Sequence, residues 1–213
     1  MKKFYEEHAD FLNSMYPGVT LSKLEEVYNE TKDKQEFYTK FNIDITLPSI
    51  LSTFHPETVA FEKNEYYANE YINALSKLSN YQIIITMPNA DTNGKIIREK
   101  IIKFAYEKEN VKIIESFGTI GYLTCMKYAK MLIGNTSSGF YDASFFPKWV
   151  INLGTRQNGR IITPNIINCE IDAEQILKAV NYIETNDISN INCSIYGNGN
   201  TAKSIVEILK KKK

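Results

Sequence analysis

The groups in this chain best suited to chemistry fall in two loops. The first is Gly134-Asn135-Thr136-Ser137-Ser138-Gly139, which follows the apolar residues Met131, Leu132 and Ile133. Consecutive hydroxyls and amides suit an oxyanion, phosphate above all, and the pattern predicts that they open a helix. Gly134 and Gly139 bracket the turn, where a backbone without Cβ can approach a ligand. The second loop is Gly154-Thr155-Arg156-Gln157-Asn158-Gly159-Arg160, which follows Val150, Ile151 and Leu153. Arginines there suit a diphosphate, or a salt bridge that orders the loop. A hydroxyl-rich turn on its own is usually only a helix cap. Two such loops, each after an apolar strand, say more, because ligands in open α/β sheets bind beyond the carboxyl ends of strands. His55 is a third candidate, at the end of Ile50-Leu51-Ser52-Thr53-Phe54 and held extended by Pro56.

These loops need a frame, and the sequence supplies one from Ser49 onward. Apolar runs predict strands near residues 50–54, 82–87, 111–115, 131–133, 150–153 and 166–169. Helical periodicity falls between them, near 62–78, 95–107, after Gly118 and at 173–183, with a last helix ending in lysines. Such alternation predicts a Rossmann-like α/β fold, a parallel sheet with helices on both faces. Residues 1–48 have helical spacing of their own and are expected to form a helical N-terminal appendage to an α/β domain over 49–213.

Composition narrows the function classes. Lys and Arg number 25 and Asp and Glu 25, so the chain has no long-range attraction for nucleic acid or an anionic membrane. Cys125, Cys169 and Cys193 are widely spaced and form no CxxC pair, and His8 and His55 stand alone. That pattern points to reduced thiols, a cytoplasmic location and no metal site. A G-x-G-x-x-G fingerprint is absent, and no cofactor is expected. The first residues, with Glu6, Glu7 and Asp10, do not read as a signal peptide. No run reaches the roughly 18 apolar residues of a membrane span.

Five segments together resemble the hydrolysing UDP-N-acetylglucosamine 2-epimerases of sialic acid or capsule biosynthesis. They are Thr53-Phe54-His55-Pro56-Glu57-Thr58, Pro88-Asn89-Ala90-Asp91, Gly134 to Gly139, Asn152 to Arg160, and Tyr196-Gly197-Asn198-Gly199-Asn200. They run in family order over residues 45–210. The resemblance is to the C-terminal half of a two-domain, glycosyltransferase-B-like fold whose cleft holds the substrate. It implies a nucleotide-sugar-binding domain for UDP or UDP-N-acetylglucosamine. It implies that His55 and Arg156 act near the diphosphate and sugar, and that Asn89 contacts the nucleotide. The backbone of Phe117 would meet the uracil. Thr136 and Ser137, with Ser138 and Gly139 in the same turn, would hold the phosphates, and Arg160 would bind or brace the loop. Asp142 would accept the ribose hydroxyls, where the family usually has glutamate. Phe146-Pro147-Lys148-Trp149 replaces a small Gly-x-Pro turn.

The implied reaction removes the sugar's C2 proton and expels UDP from C1. Water or UDP then adds to the resulting glycal. The family's acid–base carboxylates belong mostly to the other domain. Two functions follow. One is the UDP-binding half of such an epimerase, working with a separate N-terminal-domain chain or by self-association. The other is a catalytically inactive nucleotide-binding or regulatory module that docks on a partner. A glycosyltransferase donor domain fits less well, because the Arg156 to Arg160 loop resembles the epimerases.

Overall fold

The computed structural model describes residues 34–57, 61–88, 94–146, 148–188 and 201–211. Asn89, Asp91, the Tyr196 to Asn200 motif and residues 1–33 lie outside the described residues. The six expected strands are all present: β1 (Ser49–Thr53), β2 (Gln82–Thr86), β3 (Val111–Ile114), β4 (Met131–Gly134), β5 (Trp149–Leu153) and β6 (Ile166–Cys169). They form one sheet in the order β3-β2-β1-β4-β5-β6, and every pairing is parallel. The helices are α1 (Lys34–Phe41), α2 (Asn64–Ser76), α3 (Lys95–Glu107), α4 (Gly118–Tyr128), α5 (Ala173–Thr185) and α6 (Thr201–Lys211). None of these is long and apolar enough to cross a membrane.

The strand runs explain the layers. Ile83, Ile84 and Ile85 are each 0% exposed, which requires cover on both faces of the sheet. Successive strand residues point to opposite faces. Ile50, Ile83, Ile85, Met131, Ile133 and Ile151 therefore meet the layer of α2, α3 and α5. Leu51, Ile84, Leu132 and Val150 meet α1, α4 and the turns after β4. On α3 the inward residues are Ile97, Ile101 and Phe104, one stripe of a helical surface. Helix α5 starts where Asp172 accepts the Gln175 N–H at 3.0 Å.

One expectation fails. The hydroxyl turn after β4 opens no α-helix. It enters two short 3₁₀ turns, Ser137–Gly139 and Ala143–Phe145. The Tyr141 and Asp142 N–H groups reach the Ser137 and Ser138 carbonyls at 3.1 and 3.0 Å, a single helical turn that goes no further. Phe140 and Phe146 both insert into the core below, and a Cβ at Gly139 would lie 2.8 Å from Val150 Cγ1, so packing holds the segment against the sheet instead of letting a longer helix leave it.

The strand order reverses between β1 and β4, so the connections leaving these neighbours diverge and open a crevice at their carboxyl ends. Backbones approach closely there. A Cβ at Gly134 would stand 2.0 Å from the Thr53 carbonyl oxygen. Gly134→Ala is therefore expected to lower the unfolding free energy by about 2–4 kcal/mol, read from the urea midpoint at unchanged m-value.

Candidate functional site

The crevice is built around Asn135, the first residue beyond β4, which is 0% exposed. Its backbone N–H still reaches the Thr53 carbonyl at 3.2 Å, the last rung between β1 and β4. Its side chain then takes over where the ladder ends. Asn135 Oδ1 accepts the His55 N–H at 2.7 Å, and Nδ2 donates to the His55 carbonyl at 2.8 Å. The Asn135 carbonyl accepts from Gln157 Nε2 at 2.7 Å and from Arg156 Nη1 at 3.4 Å. One residue thus ties together the loops after β1, β4 and β5.

A second tie runs from the β1 loop to the β5 loop. The buried Glu57 carboxylate accepts the Thr155 and Arg156 N–H groups, each at 3.3 Å, and the Thr155 hydroxyl at 3.2 Å. Asn64 of α2 fixes the backbone of Glu57 in return, accepting its N–H at 2.8 Å and donating to its carbonyl at 3.1 Å. Gly154 makes room, for its backbone has φ +68° and a Cβ would lie 2.6 Å from Glu57 Oε1.

These ties gather His55, the Thr136 to Ser138 turn and Arg156 on one rim. Thr136 Oγ1 accepts the Ser138 N–H at 3.4 Å and sits 3.3 Å from Ser138 Oγ. The Ser137 hydroxyl makes no hydrogen bond among the described residues. Gly139 turns its open side to Val150, so glycine there serves close packing. Arg160 folds back: its Nε donates to Gln157 Oε1 at 2.5 Å, and its guanidinium lies 4.7 Å from the Tyr141 ring centre and bonds the Tyr141 hydroxyl. It braces the loop in this conformation.

Beside the rim lies a hollow of about 380 Å³, lined by Thr86, Phe117, Gly118, Thr119, Tyr122 and Asp142 among others. The Phe117 ring lies 4.8 Å from the Phe41 ring and 5.6 Å from that of Phe37, so helix α1 supports this wall. Asp142 is different. Its carboxylate makes no hydrogen bond to any described residue, and burial pushes its pKa up to about 6. An under-coordinated acceptor facing a hollow is suited to paired hydroxyl donors. A larger groove, about 690 Å³, lies at the other end of the sheet, where Pro48, Lys130 and Lys148 precede β1, β4 and β5. Topology rather than size singles out the first hollow.

Sequence reasoning missed Glu57, Tyr122 and the role of Asn135. All three act through partners distant in the chain, so no local spacing marks them.

The Asp142 shift has a stability consequence with a definite sign. Its folded pKa lies above its unfolded one, so the folded state binds the extra proton and stability falls as pH rises from about 4 to about 6. Asp142→Asn should therefore stabilise the protein at pH 7 by on the order of 2 kcal/mol. Urea titrations at pH 7 and pH 4 should show that gain and its disappearance.

Comparison with known proteins agrees with this architecture. The family model described as UDP-N-acetylglucosamine 2-epimerase matches residues 19–210. The GDP/UDP-N,N'-diacetylbacillosamine 2-epimerase (hydrolyzing) of Campylobacter jejuni is 37% identical over 123 residues, 57% of this chain and 32% of that protein. The UDP-N,N'-diacetylbacillosamine 2-epimerase (hydrolyzing) of Legionella pneumophila is 29% identical over 182 residues, 85% of this chain and 47% of that one. The chain therefore spans only about half the length of these relatives. Among solved structures, the Neisseria meningitidis UDP-GlcNAc 2-epimerase bound to UDP-GlcNAc superposes with a TM-score of 0.70 at 21% identity, covering 90% of this chain and 52% of that one. The Methanocaldococcus jannaschii enzyme in complex with UDP-GlcNAc and UDP gives 0.69 at 21% identity, over 89% and 52%. With a family model matched over most of its length and the same doubly wound sheet, this chain belongs to the UDP-N-acetylglucosamine 2-epimerase family.

Proposed function

We propose that this chain is the nucleotide-binding half of a hydrolysing UDP-sugar 2-epimerase. In this reading the hollow takes the uridine, Asp142 accepts the ribose hydroxyls, and the Thr136 to Ser138 turn with Arg156 and His55 faces the diphosphate. The observation that carries it is Asp142, a partly buried carboxylate without a donor among the described residues, in a hollow adjoining a rim of hydroxyls and an arginine. A ribose diol supplies two donors, and the diphosphate beyond it would reach the rim. Asn89 is assigned to the same nucleotide by resemblance alone.

The sugar would be a 2-acetamido sugar of the UDP-N-acetylglucosamine type. The Campylobacter and Legionella relatives are named for UDP-N,N'-diacetylbacillosamine, and a Neisseria meningitidis relative, 32% identical over 130 residues, for UDP-N-acetylglucosamine. When the C1–O bond breaks, the diphosphate gains charge, and fixed donors such as Arg156 and the hydroxyls stabilise that charge. His55, on the same rim, would stand beside the leaving group. Removal of the C2 proton needs a base that no matched motif here provides. Alone, the chain would bind UDP and turn over little; with the complementary half it would release UDP and the C2-inverted sugar. We place it in the cytoplasm, supported by the free, buried thiols of Cys125 and Cys169, whose pKa values burial raises to about 12 and about 11.

Calorimetric titration with uridine and UDP tests the assignment. Donors from the diol favour ionised Asp142, so uridine should bind more tightly as pH rises from 5 to 7, and Asp142→Asn should abolish that rise. Arg156→Ala should weaken UDP about tenfold and leave uridine unchanged. Absence of heat with either ligand would refute the proposal.

A further inference from the structure

Tyr122 joins the two parts of the site. It projects from α4 into the lining of the hollow, and its hydroxyl lies 2.6 Å from Ser138 Oγ in the turn after β4. Ser138 Oγ in turn lies 3.3 Å from Thr136 Oγ1. A line of hydroxyls thus runs from Tyr122 on α4 through Ser138 to Thr136.

The physical properties of this line are unequal. Tyr122 stands between Gly121 and Leu123, both buried on α4. Ser138 belongs to a short turn, and a serine hydroxyl there has three staggered positions to choose from. A bond to a phenol on a packed helix selects one of them. Burial raises the phenol to about 12, so it remains neutral and repels no phosphate at working pH.

We propose that Tyr122 is a positioning residue for the diphosphate: its hydroxyl holds Ser138 Oγ in the rotamer that meets the ligand, coupling the phosphate turn to the nucleoside hollow. This inference rests on the UDP-binding reading above. It adds a residue that touches no phosphate itself and acts only through Ser138.

The test uses Tyr122→Phe, Ser138→Ala and the double variant, each titrated with UDP and with uridine. Phenylalanine keeps the ring and removes only the hydroxyl, and uridine reports whether the hollow is intact. Tyr122→Phe is expected to weaken UDP about five- to tenfold while uridine affinity stays within about twofold. The double variant should be no worse than the weaker single one, since both substitutions break the same link. Unchanged UDP affinity in Tyr122→Phe, an equal loss for UDP and uridine, or additive single effects would each overturn the positioning role while leaving nucleotide binding intact. If the unsubstituted chain binds neither ligand, the nucleotide reading falls first and this inference falls with it.

Discussion

The site depends on one side-chain amide placed where two strands part. Beyond Thr53 and Gly134 the β1–β4 ladder ends, because the two connections leave toward opposite edges of the sheet. Asn135 bridges the gap by offering an acceptor and a donor to the backbone of His55, as a further strand residue would. Its own carbonyl then receives Gln157 and Arg156 from the β5 loop. Apolar contacts, which are non-directional, could not extend the ladder in this way. Buried polar groups fully satisfied by one another fix a single arrangement, and that arrangement sets the spacing of the rim.

Around this clamp the molecule divides its labour by face and by end. The apolar strand residues sit in the sheet's middle and hold the two layers together. The polar residues collect at strand carboxyl ends, where parallel geometry aims every loop to one side. Glu57 shows how far the arrangement goes, since its buried carboxylate is spent on two backbone amides and a hydroxyl of the β5 loop. Asp142 has the opposite character: it is partly buried with no such donors, and burial disfavours its charge.

Family membership and coverage fit this division. The aligned segments make up 32% and 47% of the Campylobacter and Legionella relatives, and the chain corresponds to about half of the solved epimerase structures.

Much of this was legible in the sequence. Runs such as Gln82 to Thr86 and Trp149 to Leu153 are short, apolar and bounded by polar turns, which only buried parallel strands satisfy, so strand number and order of elements could be read directly. The end at which the Gly134 to Gly139 and Gly154 to Arg160 loops gather followed, because both come after such strands. That the turn after Ser137 stops at short 3₁₀ segments was illegible, since Gly139, Phe140 and Phe146 pack on neighbours that local propensity does not see. The same holds for individual roles: Gly139 packs on Val150, Arg160 lies on Tyr141, and Tyr122 reaches Ser138 from another helix. Periodicity along the chain determined the layers and the end at which loops gather, because burial of apolar side chains repeats with backbone geometry. Which polar atom holds which was decided only by the fold, because hydrogen bonds act over a few ångströms and their partners here are mostly far apart in sequence.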